Sequence, residues 1–154
     1  MAAFARPIKM TSFIHQPEIS QQVVLAGINF AKSLNLEMSV AICDASGNLV
    51  SFARTENASM AAVDSVAAKA RTAIWFGRPT AKTVEAAEKR PVVYSSIMAT
   101  SPNKLVLSMG GELLYIGDEI VGAVASAGAS GAQDIKVSKR CVDLWNQLIQ
   151  NKKK

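Results

Sequence analysis

At 154 residues, with 49% apolar and 19% charged side chains, the chain is long enough to bury a core and too apolar for a disordered segment. No apolar run reaches the roughly 18–20 residues of a membrane span. The opening MAAFARPIKMTSFI lacks the apolar stretch and cleavage site of a secretory leader, so a cytoplasmic protein without membrane contact is expected.

The formal charge of +5 gathers in the tail Lys152–Lys154 and along Lys136, Lys139 and Arg140, which reads as a solvated helix face. No basic stretch is interleaved with aromatics, and no finger or helix-turn-helix pattern occurs, so nucleic acid is not an expected partner. Residues 1–14 read as an N-terminal arm, 15–151 as one domain and 152–154 as a basic tail.

Pro17 and Glu18 suit a helix start, where a missing N–H is harmless and an acid meets the positive dipole end. Ile19, Val23, Ala26, Gly27, Phe30 and Leu34 then recur at helical spacing, with Asn35 as the stop. The period changes to two over residues 38–43. After the turn-rich Asp44–Asn48 a second β-run covers 49–54, so the pair reads as a hairpin in which Asp44 organises the turn.

Ser59 is placed to cap a helix running to about Phe76, with Met60, Val63, Ala67, Ala70 and Ile74 as its apolar stripe and Lys69 nearly opposite. Gly77 ends it, Thr80 opens a short helix, and Pro91 closes that one. Residues 92–103 read as a loop. Three β-runs follow, at Leu105–Leu107, Leu113–Ile116 and Glu119–Ala127, with turns at Gly110-Gly111 and Gly117-Asp118.

Ser130 and Gln133 form a capping box for the last helix, whose apolar side is Ile135, Cys141, Val142, Trp145, Leu148 and Ile149. The order α-β-β-α-α-β-β-β-α predicts an α/β (α+β) domain with a five-stranded, mostly antiparallel sheet covered by helices. Cys43 and Cys141, far apart and outside any Cys-x-x-Cys pattern, read as buried reduced thiols.

Three stretches carry a resemblance. MSVAICDASGNLVSFAR (38–54), SVAAKARTAIWFGRPT (65–80) and GGELLYIGDEIVGAVASAG (110–128) with Gln133-Asp134 resemble, in this order, the motifs of the GlcG/HbpS-like family. The chain departs from its usual pattern at Glu56-Asn57-Ala58, Leu113-Leu114 and Ala125–Gly128. The resemblance implies a profilin-like fold, a homo-oligomer and a bound haem or related tetrapyrrole, with similarity to the PduO C-terminal domain. Fold transfers better than function in such a comparison.

The candidate site residues follow. Gly128, Ser130, Gly131 and Gln133 open the last helix, where free N–H groups favour an anion such as a haem propionate. On this reading Gly128→Val weakens ligand binding more than folding, if the backbone there tolerates a side chain. Lys69, Thr72 and Arg78 match the family's cationic helix. Lys69, with Asp134, is a candidate for acid–base catalysis. Arg54, Gly110 and Gly111 complete the ligand-binding set.

His15, the sole histidine, is the candidate axial ligand for haem iron. The leading expectation is a haem- or tetrapyrrole-binding domain. The alternatives are a haem-independent enzyme acting on a carboxylate or carbonyl metabolite, and a module in which small residues along 122–132 serve only subunit packing.

Overall fold

The computed structural model describes residues 10–101 and 104–153. The expected arm up to residue 9 and Lys154 lie outside the described residues. The rest of that arm is ordered: Met10–His15 forms a 3-10 helix whose Phe13 and Ile14 pack into the core.

Five α-helices and four strands follow. They are α1 (Pro17–Ser33), β1 (Ser39–Asp44), β2 (Leu49–Arg54), α2 (Met60–Phe76), α3 (Thr80–Lys89), α4 (Pro91–Ala99), β3 (Gly111–Ile116), β4 (Glu119–Ala127) and α5 (Gly131–Lys152). The sheet runs β2-β1-β4-β3, and every neighbouring pair is antiparallel.

Among the described residues the sheet has four strands, not five. Leu105–Leu107 is not a strand: the Val106 N–H donates to the Thr72 hydroxyl of α2 (2.9 Å) instead of to a neighbouring strand. The expected loop at 92–103 begins as helix α4. Pro91 both ends α3 and supplies a first-turn residue that needs no N–H acceptor.

Local signals place the other boundaries. The Ser59 hydroxyl accepts from Ala62 N–H, and Gly77 closes α2 in the left-handed region (φ 62°). Gly117, also at positive φ, opens the two-residue turn between β3 and β4.

Strand alternation divides the core. Val40, Ile42, Leu114 and Val124 face α1 and α5, meeting Val23, Ile28, Val137, Cys141 and the buried Trp145. Ala41, Cys43, Leu113, Ala123, Ala125 and Ala127 face α2, meeting Ala62, Val66, Ala70 and Ala73. The small side chains on this second face bring α2 close to the sheet, so its remaining buried residues sit near strand backbone.

The stripe expected for α2 is displaced around the helix: Met60 is exposed, whereas Ala62, Val66, Lys69 and Ala73 are buried. Lys69 therefore lies on the inward face. Gly122–Ala127 is buried inside the subunit's own sheet, which removes those residues from the expected subunit-packing role.

Candidate functional site

At one end of the sheet α2 and α5 are joined through a buried polar cluster. Lys69 Nζ reaches Asp134 Oδ2 at 2.5 Å and donates to the Ser126 carbonyl at 3.1 Å, with the two ionic side chains 4% and 5% exposed. Asp134 Oδ1 accepts from the Ala129 N–H (3.1 Å). Ser126 Oγ donates to the Asp134 carbonyl (2.5 Å), Ser138 Oγ to the Gly110 carbonyl (2.6 Å), and the two hydroxyls lie 2.8 Å apart. Burial pushes the Asp134 carboxyl above its ordinary value, against the downward pull of the Lys69 ammonium and the Ala129 N–H.

The double glycine admits this cluster. A side chain at Gly111 would meet the Lys69 carbonyl and the Thr80 methyl, both at 2.7 Å, while the Gly111 N–H donates to Thr80 Oγ1 (2.9 Å). Gly110 and Gly111 thus lead into β3 rather than forming a turn between two strands. Thr72 is likewise turned inward, donating to the Ala68 carbonyl and accepting from Val106 N–H. Thr80 and Ser126 lie within the family-like stretches and Ser138 outside them, but none carries a chemical signal that singles it out; only the fold assembles them.

The glycine-rich loop beside it carries the expected capping box: Ser130 Oγ accepts from Gln133 N–H, and Gln133 Oε1 accepts from Ser130 N–H. That leaves the N–H groups of Gly131 and Ala132, which begin the helix and have no acceptor within it. Gly128 has φ +133°, and a side chain there would run into the Glu37 carbonyl. The condition for Gly128→Val to spare the fold is therefore not met.

Arg78 donates to Thr83 Oγ1 (3.1 Å) and to the Tyr94 hydroxyl (2.6 Å), tying α4 to the end of α2. Arg54, exposed, donates to the Glu56 carbonyl.

His15 stands elsewhere. Its Nε2 lies 3.1 Å from Asp44 Oδ2, and its side chain is 55% exposed. Asp44 pairs with Gly122, four residues along β4 from Ser126, a separation of about 13 Å at the usual strand rise. The histidine and the 128–133 loop therefore belong to opposite ends of the sheet.

Asp44 organises its turn as expected, accepting from the N–H groups of Ser46 and Asn48 through Oδ1. Burial raises its carboxyl, but His15 and those N–H groups outweigh burial and hold it below the usual carboxylate value.

The sequence reading missed an open cleft beside this turn. Two adjoining hollows of about 260 and 400 Å³ share Ser46, Gly47, Arg71 and Lys104 as walls, with Ile74, Trp75 and Leu105 bordering the smaller one. Arg71 stands only two residues from Lys69, but the helical turn sends it to the outer side. Both cysteines are buried free thiols, as expected, and burial pushes Cys43 up to about 11 and Cys141 up to about 12. Among the described residues no three His, Cys, Asp or Glu side chains gather as a metal site, and no helix is long and apolar enough to cross a membrane.

These features define a small α+β domain with a sealed ion pair at one end of its sheet and an open cationic cleft at the turn of its first hairpin. Residues 16–143 match the family model described as haem degrading protein HbpS-like, and the chain belongs to that family.

Three solved structures share the architecture. Klebsiella pneumoniae protein ORFY has a TM-score of 0.77 at 19% identity, covering 95% of this chain and 97% of its own. A PduOC:haem complex has 0.76 at 21%, covering 82% and 91%. A double mutant of Streptomyces reticuli HbpS has 0.74 at 21%, covering 93% and 90%. At these identities the likeness establishes the fold. No curated protein matches the chain.

Proposed function

We propose that this chain binds haem or a related tetrapyrrole. The observation that carries the reading is the family match over residues 16–143, supported by a shared fold with a domain described in complex with haem.

Two features of this chain fit such a ligand. His15 is half-exposed, and Asp44 holds one of its ring nitrogens while the other has no partner among the described residues. A carboxylate that orients an imidazole in this way is the usual support for a metal-ligating histidine. Separately, the N–H groups of Gly131 and Ala132 suit a carboxylate at a helix start.

Arg54 and Arg78 are the outlying cations of the proposed ligand set. Lys69, Thr72, Gly110 and Gly111 hold the frame behind it, and Ser130 and Gln133 shape the loop. An iron porphyrin supplies a redox-active centre whose potential the axial ligand sets. His15 would be the residue that holds its iron, while the loop N–H groups, at the opposite end of the sheet, would offer a separate carboxylate site.

Titration with haemin tests the reading. The expected result is a saturable one-to-one Soret shift, altered in position by His15→Ala. A featureless titration at micromolar protein overturns it.

The haem-independent enzyme would assign acid–base work to Lys69 and Asp134. Both side chains are sealed from solvent, so no observation favours it over the first reading.

Assembly of identical subunits is also proposed. It is supported by α4, which buries none of its residues and leaves Val92 78% exposed. Light scattering at micromolar concentration is expected to give a mass above 16.4 kDa, and a clean monomer removes the proposal.

A further inference from the structure

From the cleft beside the first hairpin we infer a binding site for a flat apolar molecule that carries a carboxylate. The inference rests on the cleft alone and stands whether or not the tetrapyrrole reading holds.

Four observations support it. First, the cleft holds two cations without anions: among the described residues, neither Arg71 nor Lys104 takes part in an ion pair. Second, Arg71 is held in place rather than loose. Its Nε donates to the Lys104 carbonyl at 2.8 Å, and its stem lies against Gly47, where an added side chain would come within 3.2 Å of Arg71 Cγ.

The terminal guanidinium nitrogens have no hydrogen-bond partner among the described residues, which leaves the fork available for two-point contact with a carboxylate. Third, apolar side chains stand beside the cations: Ile74 and Trp75 follow Arg71 by one helical turn, and Leu105 follows Lys104. Trp75, 58% exposed, stands with Ile74 and Leu105 and offers a broad face to a planar ring.

Fourth, the wall is braced. The 104–106 segment is fixed to α2 twice, by the Arg71–Lys104 bond and by the Val106 N–H on Thr72, and the turn opposite is fixed by Asp44. A braced concavity in which apolar and cationic side chains stand side by side selects for amphipathic anions. Bare phosphate would leave Trp75 and Ile74 unused, and an uncharged ring would leave Arg71 and Lys104 unpaired.

The hollow of about 260 Å³ accommodates a two-ring aromatic acid whole, or one edge of a larger macrocycle bearing propionates. The shared chemistry is thus a ring face plus a carboxylate.

Titrations of the full chain with naphthalene-2-carboxylate, its neutral amide and protoporphyrin IX distinguish the sources. Binding is read by calorimetry and, for the naphthalene compounds, by quenching of Trp75. Trp145 is buried in the core and serves as the unresponsive reference, and Trp75→Phe removes the signal.

The expected result is saturable binding of an acid, at least about tenfold weaker in Arg71→Gln and in Lys104→Gln, and unchanged in Arg140→Gln on the far helix. Binding of naphthalene-2-carboxylate but not its amide assigns the site to small aromatic acids. Binding of protoporphyrin alone, with the same two losses, assigns it to a tetrapyrrole edge.

Lys104 contributes only its backbone carbonyl to the Arg71 contact, so Lys104→Gln tests the site even if Arg71→Gln fails to fold. Binding of neither acid, equal binding of the amide, or affinities indifferent to both substitutions overturns the inference. A haemin titration that succeeds while these substitutions change nothing overturns the cleft alone and leaves the tetrapyrrole reading standing.

Discussion

Lys69 and Arg71 are two residues apart on one helix, and the fold gives them opposite fates. Lys69 crosses the interior to a carboxylate 65 residues away in sequence and is sealed there. Among the described residues Arg71 meets no carboxylate, and it lies along an open cleft. Two positions on a helix are about 200° apart around its axis, so neighbours in sequence face different worlds.

The comparison teaches where to look for recognition. A buried charge that already faces its counter-ion and is sealed from solvent has little to offer a ligand, however much it resembles a catalytic pair. A braced charge without a partner has more.

The largest effect is expected from breaking the sealed pair. Lys69→Met alone leaves the Asp134 carboxylate uncompensated in the interior and should cost about 3–5 kcal/mol, measured by denaturant unfolding. Combining it with Asp134→Leu removes both charges and should recover most of that loss. Single substitutions that leave stability unchanged would show that the pair does not organise the junction of α2 and α5. Reactivity would then return as an explanation for it.

A smaller loss is expected at the loop that presents Ala129 to Asp134. Gly128→Val places a side chain at φ +133° and against the Glu37 carbonyl, and should destabilise by about 2–3 kcal/mol. Unaltered thermal unfolding with weakened ligand binding would instead make the loop a recognition element separable from the fold.

The smallest effect concerns the turn that walls the cleft. Asp44 is held below the ordinary carboxylate value in the folded chain, so it binds fewer protons folded than unfolded. Its contribution is therefore fully present above the unfolded value and lost as pH falls through the folded one. Asp44→Asn should flatten the acid limb of the stability profile, by a fraction of the effect of Lys69→Met. An unchanged acid limb would show that the turn does not depend on the Asp44 charge.

Features governed by neighbours within one turn of chain are legible in the sequence. The cap at Ser59, the stop at Gly77, the box of Ser130 with Gln133, the Asp44 turn and the Gly117 hairpin all arise from side chains meeting nearby backbone, so residue type and spacing suffice. The family resemblance is legible because its three stretches include several of these turns, together with the strands and much of α2. The segment 92–103 reads as a loop because Ser95, Ser96, Ser101, Pro102 and Asn103 are turn-forming residues. The helix there has Pro91 in its first turn and is tied by Tyr94 to Arg78.

What the tertiary structure alone decided is the facing of α2. Alanines stand at 61, 62, 67, 68, 70 and 73, so nearly every side of this helix is apolar enough to face the sheet, and the stripe read from Met60, Val63, Ala67, Ala70 and Ile74 is only one of several it offers. The choice was made by partners distant in sequence. Asp134 and the Ser126 carbonyl draw Lys69 inward, Gly111 makes room for the Lys69 backbone, and Leu105–Leu107 bonds to α2 through Thr72 instead of adding a fifth strand. Local chemistry specified most elements and where they end. Which cation is sealed and which stays open depended on contacts that exist only once the chain has closed on itself.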